Sequence, residues 1–283
     1  MLHPTASVGN THPDDRIALG SLAGPALRQS LERQWREEDF VPVNFEENLV
    51  LIGSAGPEGL SRLIFGYRNN GKFLEYVGTP LDLPYHWVED EREVRSECLR
   101  YQSGGAVTTR PNWGVRSLKG AAGATRFPEL DRQHFLASDL LLVSRIPNFL
   151  SVTRSGSTLI SVGGTHGVGT RAVSLVTKDR DVVSQILETL RESGTDYFQA
   201  LLSAEKIHHH EGSGSVATTV RLLDVVPLHF TDLQLEKAFD SAASAYTGWV
   251  SETSTRANQK PFSTSPNRII RPWFGYGPFE GPE

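Results

Sequence analysis

Two segments of this chain follow one plan, and that plan limits what it can fold into. ENLVLIGSAGPEG (47–59) and STLISVGGTHGVG (157–169) each run from a short, continuously apolar stretch into a turn of Gly, Ser and Thr. After each turn the residues suit the start of a helix, with Pro57 well placed in the first case. A run of four to eight apolar residues without alternation reads as a strand buried on both faces. DLLLVSR (139–145) is a third run of this kind. Strands that feed glycine turns and helices predict an α/β domain with a largely parallel, buried sheet. Ligands would then meet the carboxyl ends of the strands.

Around these strands the pattern is mixed. Leu27, Leu31 and Trp35 repeat every four residues behind Pro25, which predicts a helix over 25–38. Val182, Val183, Ile186, Leu187 and Leu190 form one apolar stripe, and Tyr197, Phe198, Leu201 and Leu202 suggest a second helix after it. VATTVRLLDVVPLHF (216–230) reads as a strand whose Pro227 belongs at an edge or a bulge. Thr231 can cap a helix running to about Ala245. Residues 72–97 alternate poorly around Glu89-Asp90-Glu91 and are expected as exposed strand and loop, with a short helix near Arg92–Arg100. The stretch 101–128 is rich in Gly, Thr and Arg and reads as an insert, in which RPNWG forms a turn. The expected organisation is a loose leader over 1–16, one domain over 17–250 and a Pro- and aromatic-rich tail over 251–283.

The turn Gly163–Thr170 (GGTHGVGT) is the most informative octapeptide. Glycines allow close approach of backbone to a ligand, and free N–H groups at a helix start attract anions. No Lys follows the last Gly, so it is not a Walker A loop, and its spacing departs from the dinucleotide fingerprint. The alternative is a tight strand–helix turn that needs glycine for steric reasons. His166 and Glu58 are the candidate acid–base groups. Glu58 equally suits the dipole of a helix start. Arg145 and Asn148 close the second run in SRIPN, where a guanidinium can fork onto a carboxylate or phosphate. Arg110 and Arg116 flank Trp113 and could stack on a ring. Adjacent residues point in different directions, so His208-His209-His210 is expected as a solvated loop and no metal site is predicted. Cofactors stay unknown. The lone Cys98 is expected in packing, and no G-x-S-x-G or H-E-x-x-H motif occurs.

NLVLIGS, DLLLVSRIPN and LISVGGTHGVGTRAV together resemble a Rossmann-like, flavodoxin-like module of bacterial signalling and regulatory proteins. The resemblance covers roughly 45–230 and rests on these three blocks. It implies a three-layer Rossmann-like domain with a largely parallel central sheet and an extended C-terminal tail. It also implies a nucleotide-sensing or nucleoside-processing site built from Gly53, Ser54, Arg145, Asn148, Thr165, His166 and Gly167. Gly164, Gly169 and Thr170 complete the predicted ligand-facing turn.

Charge narrows the partner. The net charge is −5, which argues against a general nucleic-acid or anionic-membrane binder. Cys98–Lys178 nevertheless carries ten Lys/Arg and three acids, a net of +7. No apolar stretch is long enough to cross a membrane as a helix. The start MLHPTASVGN has neither the basic nor the apolar part of a signal peptide, so a cytoplasmic protein is expected. The expected function is binding of an anionic, nucleotide-derived small molecule, as a sensor or regulatory module. Two alternatives stay open: a hydrolase or transferase acting on a nucleoside or nucleotide bond, and an interaction module. In the latter the aromatic tail would contact a protein partner or a second copy.

Overall fold

The computed structural model describes residues 18, 46, 48–53, 65–69, 74–76, 78, 80–97, 107–118, 124–151, 153, 156–210 and 214–242. The helix expected over 25–38, Ser54, Glu58, Cys98, the leader and the tail lie outside the described residues.

The main sheet has five strands. In chain order they are β1 (Leu49–Ile52), β7 (Asp139–Pro147), β8 (Thr158–Gly164), β9 (Phe198–His210) and β10 (Gly214–Pro227), arranged β1-β8-β7-β9-β10. β4 (Tyr85–Glu97), β5 (Val107–Ser117) and β6 (Thr125–Arg126) make a second, antiparallel sheet. β2 (Tyr67–Asn69) and β3 (Leu74–Tyr76) form a separate pair. Four helices are described: α1 (Gly167–Arg171), α2 (Val173–Val176), α3 (Arg180–Ser193) and α4 over 232–242.

The three apolar runs are strands of one sheet, as their composition predicts, but the largely parallel Rossmann-like sheet is not what they build. Among the described strands only β1 and β8 run parallel, while β7 is antiparallel to both β8 and β9. Connection length is the physical reason. Ten residues, 148–157, join β7 to β8. A parallel crossover needs a dozen or more and normally a helix. With strand outweighing helix, the molecule is a mixed α/β structure.

Continuously apolar strands remain necessary because the main sheet is covered on both sides. Leu49, Leu140, Leu142, Ile146, Leu159 and Leu201 pack with Tyr85, Trp87 and Val115 of the second sheet and with Ala238 and Ala242 of α4. Leu141, Val162, Ala200 and Leu202 face the other way, onto Val173, Val176 and Val182 of the helices. Each Leu, Ile or Val among them contributes about 1.5–3 kcal/mol of burial. One buried glutamine ties the sheets together. Gln199 accepts from the Tyr85 N–H at 2.8 Å and donates to the Tyr85 carbonyl at 3.3 Å and to Ser144 Oγ at 3.0 Å.

Three further expectations are corrected. Tyr197–Leu202 is not a second helix but leads into β9. Gly194 closes α3 in the left-handed region at φ 68°, and Ala200 to Ala204 are then buried on both faces, as only a central strand requires. The helix near Arg92 is instead the second half of β4, where the pairing slips between Asp90 and Glu93 and breaks the alternation. RPNWG is not a turn: it lies in β5, and Pro111, which has no N–H, falls beside that slip. Pro227 does end an edge strand, and Thr231 does cap α4. The Thr231 hydroxyl accepts from Gln234 N at 3.2 Å, while the Gln234 side chain accepts from Thr231 N at 2.9 Å.

Candidate functional site

Antiparallel pairing decides which predicted residues can meet. Leu141 pairs with Gly164 and Pro147 with Thr158, so the glycine turn lies beside the start of β7 rather than its end. Arg145 sits opposite Ile160, about 13 Å along the strand from Gly164 at ~3.3 Å per residue. Asn148 lies further away still. It is buried in the β7–β8 connection, where its side chain donates to Ser157 Oγ at 3.1 Å and accepts from Leu150 N at 3.2 Å. The predicted convergence of 145–148 with the glycine turn therefore does not occur. Arg110 and Arg116 are on β5, and Arg116 is exposed, its Nε donating to Thr125 Oγ1 at 3.1 Å.

What does converge is the glycine turn, the end of β1 and the first residue of β7. Gly53 N donates to Val162 O at 3.1 Å, and a Cβ on Gly163 would lie 2.4 Å from the Gly53 carbonyl oxygen. The two parallel strands thus end side by side. Next to them Asp139, missed in the sequence as a contributor, is fully buried at 0% exposure. Its Oδ1 accepts from Leu140 N at 2.9 Å, from the Thr165 hydroxyl in a short hydrogen bond, and from His166 Nδ1 at 3.2 Å. Its Oδ2 accepts from Gly169 N at 2.5 Å. An acid opening an otherwise apolar strand run was the signal available in the sequence.

This carboxylate changes the meaning of the turn. The N–H of Gly169, which a bound phosphate could have taken, is satisfied by Asp139, and that of Gly164 donates to Thr170 Oγ1 at 2.9 Å. A Cβ on Gly164 would fall 2.3 Å from Thr170 N, and one on Gly169 would fall 2.2 Å from Leu140 O. The glycines are there to let the turn close onto β7. The anion it cradles is the chain's own.

His166 is the chemically open member. It stands at the N-cap of α1 without capping with its side chain, and that side chain is 13% exposed. An ionised carboxylate only accepts, so Nδ1 carries the hydrogen of the neutral ring and Nε2 is left as an acceptor. Nε2 is buried and has no hydrogen-bond partner among the described residues. The pair has the form of a base held in one tautomer by a carboxylate.

The histidine run is also re-placed. His208–His210 is strand at the end of β9, not loop, and His209 is engaged with Ser215 and Leu136. Among the described residues no group of three His, Cys, Asp or Glu is arranged to hold a metal ion, and no helix is long and apolar enough to cross a membrane. No protein-family model matches the chain, and neither a curated protein nor a solved structure matches it.

Proposed function

We propose that the protein binds a small anionic, nucleotide-derived molecule where β1 and β8 end, as a cytoplasmic sensor or regulatory module, with His166 as the polar contact. The observation that carries this reading is the buried Nε2 of His166, without a partner among the described residues while Nδ1 is held by Asp139. A buried polar atom left unmatched costs about 1–3 kcal/mol, which a ligand recovers by filling it. Neutral Nε2 accepts, so it meets a donor such as a ribose hydroxyl. The net charge of +7 over Cys98–Lys178 favours an anionic remainder of the ligand.

The same pair supports a second reading, a hydrolase or transferase on a nucleoside or nucleotide bond. There Nε2 removes a proton from the attacking hydroxyl while Asp139 stabilises the imidazolium. One experiment tests both readings. Wild type and His166→Ala are titrated calorimetrically with a panel of nucleosides, mononucleotides and cyclic nucleotides, and the incubated ligands are chromatographed. Binding weakened about tenfold in the variant, with ligand returned intact, supports the sensor. Product formed by wild type and lost in the variant supports the enzyme. A panel that is silent for folded wild type overturns both.

A further inference from the structure

A second histidine pair lies away from the Asp139 site, on the hairpin formed by β9 and β10. Ser215 and His209 are directly opposed across the two strands, and Ser215 Oγ lies 2.6 Å from His209 Nδ1. The other ring nitrogen, Nε2, is 3.1 Å from the Leu136 carbonyl oxygen. A carbonyl only accepts, so Nε2 carries the hydrogen and Nδ1 is left to accept from the serine hydroxyl. Leu136 itself is fixed by the preceding turn, in which Asp131 accepts from Gln133 N at 2.8 Å and Phe135 N at 3.0 Å. The Phe135 ring sits 5.5 Å from the His209 ring and gives the pair an apolar wall. His209 is exposed and Ser215 half-buried, so a reagent can reach them.

Nucleophile, base and a third group orienting the base are thus in hydrogen-bond sequence. We propose that Ser215 is a nucleophilic serine, activated by His209, that takes acyl groups from small activated esters. In the first step Ser215 Oγ forms a bond to the ester carbonyl carbon as its proton passes to His209 Nδ1. The tetrahedral adduct then collapses, the bond to the leaving oxygen breaks, and that oxygen takes the proton from His209. The products are acyl-Ser215 and the free alcohol. Water attacks the acyl group by the same route, returning the serine and releasing the carboxylic acid.

The test uses the full chain and p-nitrophenyl acetate, with nitrophenolate release followed by absorbance and the acetylated residue located by peptide mass spectrometry. One acetyl group is expected on Ser215, with release lost in Ser215→Ala. His209→Gln keeps a donor for Leu136 and an acceptor for Ser215 but cannot take the proton, and it should slow acetylation at least tenfold. The position of the acetyl group in wild type does not depend on any variant folding. Acetyl groups found elsewhere, undiminished release from Ser215→Ala, or an unchanged rate in His209→Gln would each overturn the proposal.

Discussion

Asp139→Asn isolates what the buried carboxylate does, because it keeps volume and changes one acceptor into a donor. In the native site Oδ1 receives three donors and Oδ2 one, the Gly169 N–H at 2.5 Å. The amide must keep its oxygen toward the three donors, so its NH2 group faces the Gly169 N–H. That orphans a buried donor and removes a hydrogen bond to a charged acceptor, a loss of roughly 1.5–3 kcal/mol. Weaker bonds at Oδ1, now neutral, bring the expected total to about 3 kcal/mol. In a domain of this size that lowers Tm by roughly 6–12 °C. Urea melts followed by far-UV circular dichroism would read it, with an unchanged m-value showing that stability alone has moved. Asp179→Asn is the control. Asp179 also accepts backbone N–H groups, from Asp181 and Val182 at 3.1 Å, but it is a helix N-cap, where Asn serves as well as Asp. If Asp139→Asn is no more costly than Asp179→Asn, the carboxylate is not what closes the turn.

The other predictions probe separate parts of the fold. Gly169→Ala places a Cβ 2.2 Å from Leu140 O and 2.9 Å from Asp139 Oδ2, so a loss on the order of 3 kcal/mol or more is expected in the same melts. Gln199→Leu orphans the Tyr85 N–H and carbonyl and the Ser144 hydroxyl, and should cost roughly 3 kcal/mol, with amide exchange faster in β4 than in β7. Burial, and then the nearby Arg116, holds His86 down at about 4 from its ordinary 6.5. The unfolded chain therefore binds the extra proton first, and stability should fall by up to about 3 kcal/mol as pH drops from 6.5 toward 4. His86→Gln should flatten that part of the stability–pH profile.

Element position was more legible than element direction. The runs at 49–52, 139–147 and 158–164 are strands, and a sheet covered on both faces accommodates their short consecutive apolar stretches. That same covering made them look parallel. In this protein a second sheet, joined by α4, supplies one cover, and the broken alternation around Glu89-Asp90-Glu91 hides it. β4 is acidic and slipped in register, and β5 carries a proline. β9 has a helix-like sequence because Phe198, Leu201 and Leu202 satisfy a helical spacing, although Gly194 has already closed the helix. Of the site, the glycine turn and His166 could be found in sequence. Arg145 and Asn148 would meet the glycine turn only if β7 ran parallel to β8, which it does not. Asp139 acts through a contact between residues 27 positions apart, which only the β7–β8 register creates.

The state of the His166 ring tests the central claim most directly. Long-range 15N–1H correlation spectra of uniformly labelled protein, with His166 assigned by comparison with His166→Gln, report which ring nitrogen carries the hydrogen. In the neutral ring Nδ1 is expected to carry the hydrogen and Nε2 to be a bare acceptor. Titration with the nucleotide that binds most tightly should then shift Nε2 and leave Nδ1 in place on Asp139. A ring protonated on Nε2 alone, or an Nε2 resonance that stays still while the ligand saturates, would contradict it.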